Sequence, residues 1–430
     1  MKLQSVSKSL LLLPFLAACL ASSSASAPET KRAHTSLNLR SLAALPVPFV
    51  ARNGSQPWSG VTNSISSMDA EPQFQTYSSA GDKLLGRDPE ALILVHRPGY
   101  AFAHEAPVWF ADTQDVWFAS NAGGKNGKSN LTTNNANFRI NLPHALTLAK
   151  NGTATFENSV ETIYSPLVEG KAQFEDIQMT NGATSYGDAV LLCNTGRGNL
   201  PGSLVLVNRS DVQQKPKVLL NNAYGRDFVS PNDVVVHPKG AIFFTDADYG
   251  VLQNFKPPVA QAKATWRFVP TTGELRMIDA TITTPNGIAL SPDARTLYVT
   301  ETGLAQTGAG TDDYSIPAVI YAFDLDTTGS IVSNKRTFTN VPTGIADGIK
   351  TDSKGNVYTC TGGGLEVYAP RTGQPLYRFS LPTGCTQVVM VQDGRLLLLA
   401  EETIWYLRVA SHVQPAPIAS YPRSGRLQGY

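Results

Sequence analysis

Four oxygen-bearing side chains stand at the same point of four copies of one phrase. Asn232 opens NDVVVHPKGAIFFTDADYG, Asn286 opens NGIALSPDARTLYVTETG, Asp347 opens DGIKTDSKGNVYTCTGG, and Glu105 opens the looser EAPVWFADTQDVWFASNAGG. An oxygen at one register position of a repeated unit aims several oxygens at one point once the units form a ring. The chemistry such a point supports is coordination of a hard cation. Carboxylates and amides without imidazole or thiolate suit Ca²⁺ or Mg²⁺ better than zinc or copper. Taken singly, each residue has a plainer role. Asn286-Gly287 and Asp347-Gly348 are turn dipeptides, Asn232-Asp233 can form an Asx turn, and Glu105 can be a surface acid. Their shared register is what argues for a common site.

Other side chains nearby can do chemistry. His104, beside Glu105, can orient a substrate or carry a proton, or simply pack. Arg226, in YGRDF, can hold a hydroxyl or a carboxylate, or form a salt bridge. Tyr249, in DYGVLQNF, can line a pocket or pack, and Asn194, in CNTGRG, can face a pocket or serve a turn. The chain has no G-x-S-x-G elbow, no H-E-x-x-H, no P-loop and no G-x-G-x-x-G after a strand. Its six histidines are scattered without metal-type spacing.

The elements that must position these residues follow from the repeat itself. Each copy has a short apolar run, a turn rich in Asp, Pro, Lys or Gly, and a second apolar run, which is the pattern of a β-hairpin. A second-position hairpin starts near Gly182 without an acidic opener, and a sixth, CTQVVMVQDGRLLLLAEETIWYL, starts at Cys385. GSLVLVN, ATWRFVP, AVIYAFDL and GLEVYAP supply outer strands. The strand at 91–99, ahead of the first repeat, can complete the last unit. The expected fold is all-β, a six-bladed β-propeller, with the first run of each hairpin lining the channel and the openers at one mouth. The 28 Pro and 35 Gly agree with a turn-rich β protein. The expected organisation is a leader at 1–27, an irregular lead-in at 28–85, the propeller at 86–412 and a tail at 413–430.

Lys2, Lys8, the run LLLLPFLAACL and Ala25-Ser26-Ala27 read as a secretory signal, too short to span a membrane. Export gives meaning to the sequons at Asn53, Asn130, Asn151 and Asn208, where N-glycans are expected. With a net charge of +1 and no basic block, neither nucleic acid nor a membrane is expected as a partner. Of the 4 cysteines, Cys19 leaves with the leader. Cys360 and Cys385 can meet as a bridge or stay as buried thiols, and Cys193 is left over.

The phrases SPNDVVV, TPNGIALSPDARTLYVTET and ADGIKTDSKGNVY resemble the SMP-30/gluconolactonase superfamily. AHEAPVWF, NNAYGRDFVSPNDV, FFTDADYGVLQNFKP and LYVTETG are similar to its secreted fungal lactonohydrolases. The resemblance runs from about residue 55 to about residue 410. It implies one divalent metal, usually calcium, held by Glu105, Asn232, Asn286 and Asp347, the four openers already singled out. It implies Asp347 as the group that activates water; Asp233, beside Asn232, is a second candidate, or else a turn acid bonded to backbone. The expected activity is calcium-dependent hydrolysis of a small lactone. Another reaction on the same site, such as phosphotriester hydrolysis or isomerisation, and a propeller that only binds remain open.

Overall fold

Each repeat folds as a four-stranded antiparallel sheet, and six such sheets form a ring. The computed structural model describes residues 72–417, apart from 169, 172–173 and 306–311, and the backbone of 35–36. The leader, most of the lead-in, Asn53 and the end of the tail lie outside the described residues. The inner strands are Glu105–Phe110, Thr180–Tyr186, Pro231–Val236, Pro285–Leu290, Ala346–Thr351 and Gln387–Val391, in blades 1 to 6. Neighbouring inner strands touch all the way round, blade 6 against blade 1 included. This is the expected six-bladed β-propeller.

The ring closes as anticipated. Glu90–His96 pairs antiparallel with Thr403–Arg408 and becomes the outer strand of blade 6. The first and last strands of the propeller thus share one sheet, and Glu90 pairs with Arg408 across it. The lead-in is less irregular than expected. Gln73–Thr76 adds a fifth strand to blade 5, and Ser79–Leu85 is a helix capped by the Ser78 hydroxyl. A four-residue strand and a two-turn helix are too short to show a period in the sequence. Gly81 lets this helix lie against the Leu376 carbonyl, where a Cβ would collide.

The blades are held together by the alternate side chains of their strands, which form apolar layers between adjacent sheets. Between blades 6 and 1, Phe102, Phe118, Phe138 and Phe156 pack with Leu397 and Val389. The ring centroids of Phe102 and Phe156 are 5.0 Å apart, edge to face. Each such ring contributes about 1.5–3 kcal/mol by leaving water. Cys360 and Cys385 form a disulfide that ties blade 5 to the start of blade 6, while Cys193 is free and buried. Asn130, Asn151 and Asn208 are all exposed.

The links between second and third strands differ sharply around the ring. They run 120–136, 195–202, 247–263 and 302–318 in blades 1 to 4, but only 362–363 and 401–402 in blades 5 and 6. Because they leave from the end where the inner strands begin, that mouth carries long links over blades 1 to 3 and tight turns over blades 5 and 6.

Candidate active site at the channel mouth

The first residues of the inner strands share a local distortion. In blades 1 to 5 the inner strand advances three residues while its partner advances two, from Glu105 to Val108, Thr180 to Ala183, Pro231 to Val234, Pro285 to Ile288 and Ala346 to Ile349. Such a β-bulge bends the strand and re-aims its side chains. Blade 6 is regular from Gln387 onward. Within the bulges stand Asn181, Asn232, Asn286 and Asp347 at one equivalent position, with Glu105 one residue earlier. Ala106 takes the corresponding place in blade 1, with φ of 58°.

Adjacent blades come close at this level. A Cβ on Gly182 would lie 2.5 Å from the Cα of Asp233, and one on Gly348 would strike the Gln387 carboxamide. Threonine hydroxyls pin one blade to the next: Thr195 donates to Pro231 O at 3.1 Å, Thr245 to Asn286 O at 2.6 Å, Thr300 to Asp347 O at 3.0 Å and Thr386 to His104 O at 2.6 Å. The openers are thus fixed by backbone contacts before their side chains do anything.

The structure brings Glu105, Asn232, Asn286, His104 and Tyr249 to the mouth in two bonded groups, Asn232 with Asn286 and Tyr249, and Glu105 with His104. Asn232 Nδ2 donates to Asn286 Oδ1 at 2.6 Å, and Asn286 Nδ2 donates to the Tyr249 hydroxyl at 2.8 Å. The hydroxyls of Tyr249 and Thr302 are hydrogen-bonded to each other. Gln387 Nε2 donates to Glu105 Oε2 at 2.9 Å, and His104 Nε2 stands 3.6 Å from Glu105 Oε1. The other nitrogen of His104, Nδ1, is 2.9 Å from Glu401 Oε1. Asn121 Nδ2 bonds both Glu401 oxygens at 3.3 Å.

Three side-chain oxygens at the mouth are buried without a partner: Asp347 Oδ1, Asn181 Oδ1 and Gln387 Oε1. They come from three different blades. A buried acceptor without a donor is costly, and several together call for a cation or for water. The charges tell the same story. Burial and the nearby Asp347 push the Glu105 carboxyl well above its ordinary range. Burial raises Asp347 to about 7, against the pull of His104. Burial opposes charge on His104, but Glu401, and after it Glu105 and Asp347, hold the imidazolium up to about 10. A crowded set of buried carboxylates served by one imidazolium is short of positive charge, so the residues present fit a bound dication. Among the described residues no group of three or more His, Cys, Asp and Glu forms a metal cluster, so a site here must draw on the amide oxygens as well.

Three expected residues take other places. Asp233 accepts Val234 N–H at 2.8 Å and Ile288 N–H at 3.2 Å, so its carboxylate clamps blade 3 to blade 4. That is the backbone-bonded alternative. Asn194 is buried at a strand end, where it accepts from the Thr180 hydroxyl at 3.0 Å and faces Ser203. Arg226 lies exposed in a turn. Its neighbour Tyr224 donates its hydroxyl to the Leu275 carbonyl on the outer strand of blade 3, and nothing brings Arg226 to the mouth.

Asn181, Gln387, Glu401, Asn121 and Thr302 went unnoticed in the sequence. Asn181 had a signal: its TNGA stands in line with the PNGI of Asn286. Gln387 could be found only by counting back from the last hairpin. Glu401 and Asn121 lie at second-strand ends, outside the repeated opener, and their contacts cross the seam between the first and last blades.

A family model described as the SMP-30/gluconolactonase/LRE-like region matches residues 104–399. The lactonohydrolase oryL of Aspergillus oryzae is 29% identical over 331 residues, which is 72% of this chain and 69% of the relative. A second A. oryzae lactonohydrolase, oryH, is 26% identical over 370 residues, 74% of this chain and 75% of its own. Among solved structures, a gluconolactonase of Xanthomonas campestris superposes with a TM-score of 0.58 at 23% identity, covering 79% of this chain and 96% of its own.

Proposed function

The chain belongs to the SMP-30/gluconolactonase/LRE-like family, and from that premise and the mouth geometry we propose that it is a secreted, glycosylated, calcium-dependent lactonase. Its substrate would be a small sugar-derived or hydroxy-acid lactone, of aldonolactone or pantoyl-lactone type, opened to the free acid. The observation that carries this reading is the set of buried, unpartnered oxygens at one mouth, Asp347 Oδ1 foremost. The likeness to the lactonohydrolases of A. oryzae supports the choice of reaction.

Glu105, Asn232, Asn286 and Asp347 would hold the cation, with Asn181 and Gln387 as further oxygen donors. When bound, the cation polarises the lactone carbonyl and favours the charge that develops on its oxygen. The rest falls to the chain's own side chains. Asp347, at the cation's edge, would take the proton of the attacking water on the carboxylate oxygen that the cation leaves free. His104 Nε2 faces the same cluster and can pass a proton to the departing ring oxygen, while Glu401 fixes the ring through Nδ1. Tyr249 and Thr302 hold Asn286 from behind. The long loops of blades 1 to 3 would shelter one side, and the tight turns of blades 5 and 6 would admit the substrate.

Acid release from aldono- and pantoyl-type lactones, followed with EDTA and again after Ca²⁺ is restored, tests this. Loss with chelator and recovery with calcium is expected. Turnover that ignores chelation, or turnover of phosphotriesters with none of lactones, would overturn it.

A further inference from the structure

Below the mouth the channel is a separate chamber. It has a volume of about 930 Å³, counting its opening at the opposite face. None of the mouth residues lines it. Its wall comes from the deeper part of all six inner strands, with Trp109, Ala183, Val235, Ala289 and Met390 among the lining side chains. At the far opening the segment Pro415–Ala416–Pro417 lies across the rim. Ala416 N–H bonds to Thr351 O at 3.1 Å, and Ser353 N–H bonds to Gln414 O at 2.8 Å, so blade 5 holds this strap in place.

One lining residue carries charge, Lys350 on the inner strand of blade 5. It is half-buried, and among the described residues its ammonium has neither an ion pair nor a hydrogen bond. Asp233 is near enough to feel its charge. The two form no direct ion pair, and each Asp233 oxygen accepts a backbone N–H, from Val234 and from Ile288. An ammonium without a bonded counter-ion in an otherwise apolar tube is an anchor for an anion with an apolar body, because the charge pair forms where water is scarce and the body buries its surface. From Lys350 to the turn at residue 353 the strand descends roughly 10 Å, which matches an aliphatic chain of about eight carbons.

We infer that this lower chamber is a binding site for a medium-chain carboxylate, with the carboxylate on Lys350 and the chain directed toward Pro415–Pro417. The site is independent of the reaction proposed at the mouth.

Octanoate, octanol and octylammonium titrated into the full chain by calorimetry test this. Octanoate should bind one to one, with octanol and octylammonium weaker by at least about tenfold, the worth of a charge-assisted bond. Lys350→Met should weaken octanoate by a similar factor and leave octanol unchanged. Thr184→Phe, which fills the chamber from blade 2, should abolish binding of all three, with circular dichroism confirming the fold. Absence of saturable octanoate binding would overturn the inference. So would equal affinity for octanoate and octanol, or undiminished octanoate binding by Lys350→Met.

Discussion

Replacing Glu401 by Gln removes one charge and leaves the shape. Glu401 Oε1 lies 2.9 Å from His104 Nδ1, and Asn121 steadies the carboxylate from the other side. The backbone of Glu401 is pinned by two bonds to Ala103, each 2.9 Å, in a left-handed conformation with φ of 60°. A non-glycine residue there costs on the order of 1 kcal/mol, a strain that tends to persist where a side chain must be delivered. A hydrogen bond to a charged group contributes about 1.5–3 kcal/mol, so losing its charge should slow turnover by roughly 10- to 100-fold. KM should stay within about threefold, since Glu401 stands behind His104 and away from the substrate. Glu401→Gly relieves the backbone and deletes the side chain. It should lose turnover at least as severely while melting no lower than Glu401→Gln. Steady-state lactone hydrolysis, paired with calcium titration by calorimetry, reads both effects. Full turnover in Glu401→Gln would refute the proton role of His104. Turnover lost together with calcium affinity would show instead that Glu401 acts through the cation site.

Other consequences can be checked separately. Calcium at a hundredfold excess over its Kd should stabilise the fold by about 2.7 kcal/mol, seen as a rise of several degrees in Tm. Asp347→Asn should remove most of that rise together with the activity, and a shift of wild-type size in this variant would remove Asp347 from the site. Cys385→Ser should destabilise by about 3 kcal/mol, the expectation for a disulfide spanning 25 residues, and an unchanged midpoint in denaturant would count against it. Glu366 is raised to about 7 by burial, against the pull of Arg378. A carboxyl raised in the folded state lends stability that is complete below its unfolded value near 4.5 and is lost as pH rises through 7. The loss is on the order of 3 kcal/mol, so Glu366→Gln should flatten the fall in Tm between pH 4.5 and 7, and an equal slope in both proteins would contradict the burial argument.

The fold was legible because a propeller writes its architecture in repeats. The phrase that recurs at Asn232, Asn286 and Asp347 marks the inner strand, and the strand before the first repeat announces the closure at Glu90–His96. What escaped notice was short or crossed the seam. Gln73–Thr76 and Ser79–Leu85 carry too few residues for a period. The contact between His104 and Glu401 joins residues 297 apart, and no local pattern connects them.

The site was partly legible for a sharper reason. A repeated opener shows that a position matters, but the bulge decides what each opener does. In blade 3 the bulge contains both Asn232 and Asp233. One residue of advance separates an amide that joins the ring of Asn286 and Tyr249 from a carboxylate spent on the Ile288 N–H. In blade 1 the bulge falls at the equivalent place but the acid stands one residue earlier, so Glu105 reaches Gln387 and His104 while Ala106 takes the left-handed turn. An acid in such a phrase can therefore serve the pocket or staple two blades, according to which side of the bulge it occupies. Side-chain type cannot distinguish these roles, whereas the pairing register does. Moving an acid across that boundary, as in the paired change Asn232→Asp with Asp233→Asn, keeps composition and net charge while exchanging the two environments. It should weaken the clamp on blade 4 and crowd a third carboxylate into the mouth.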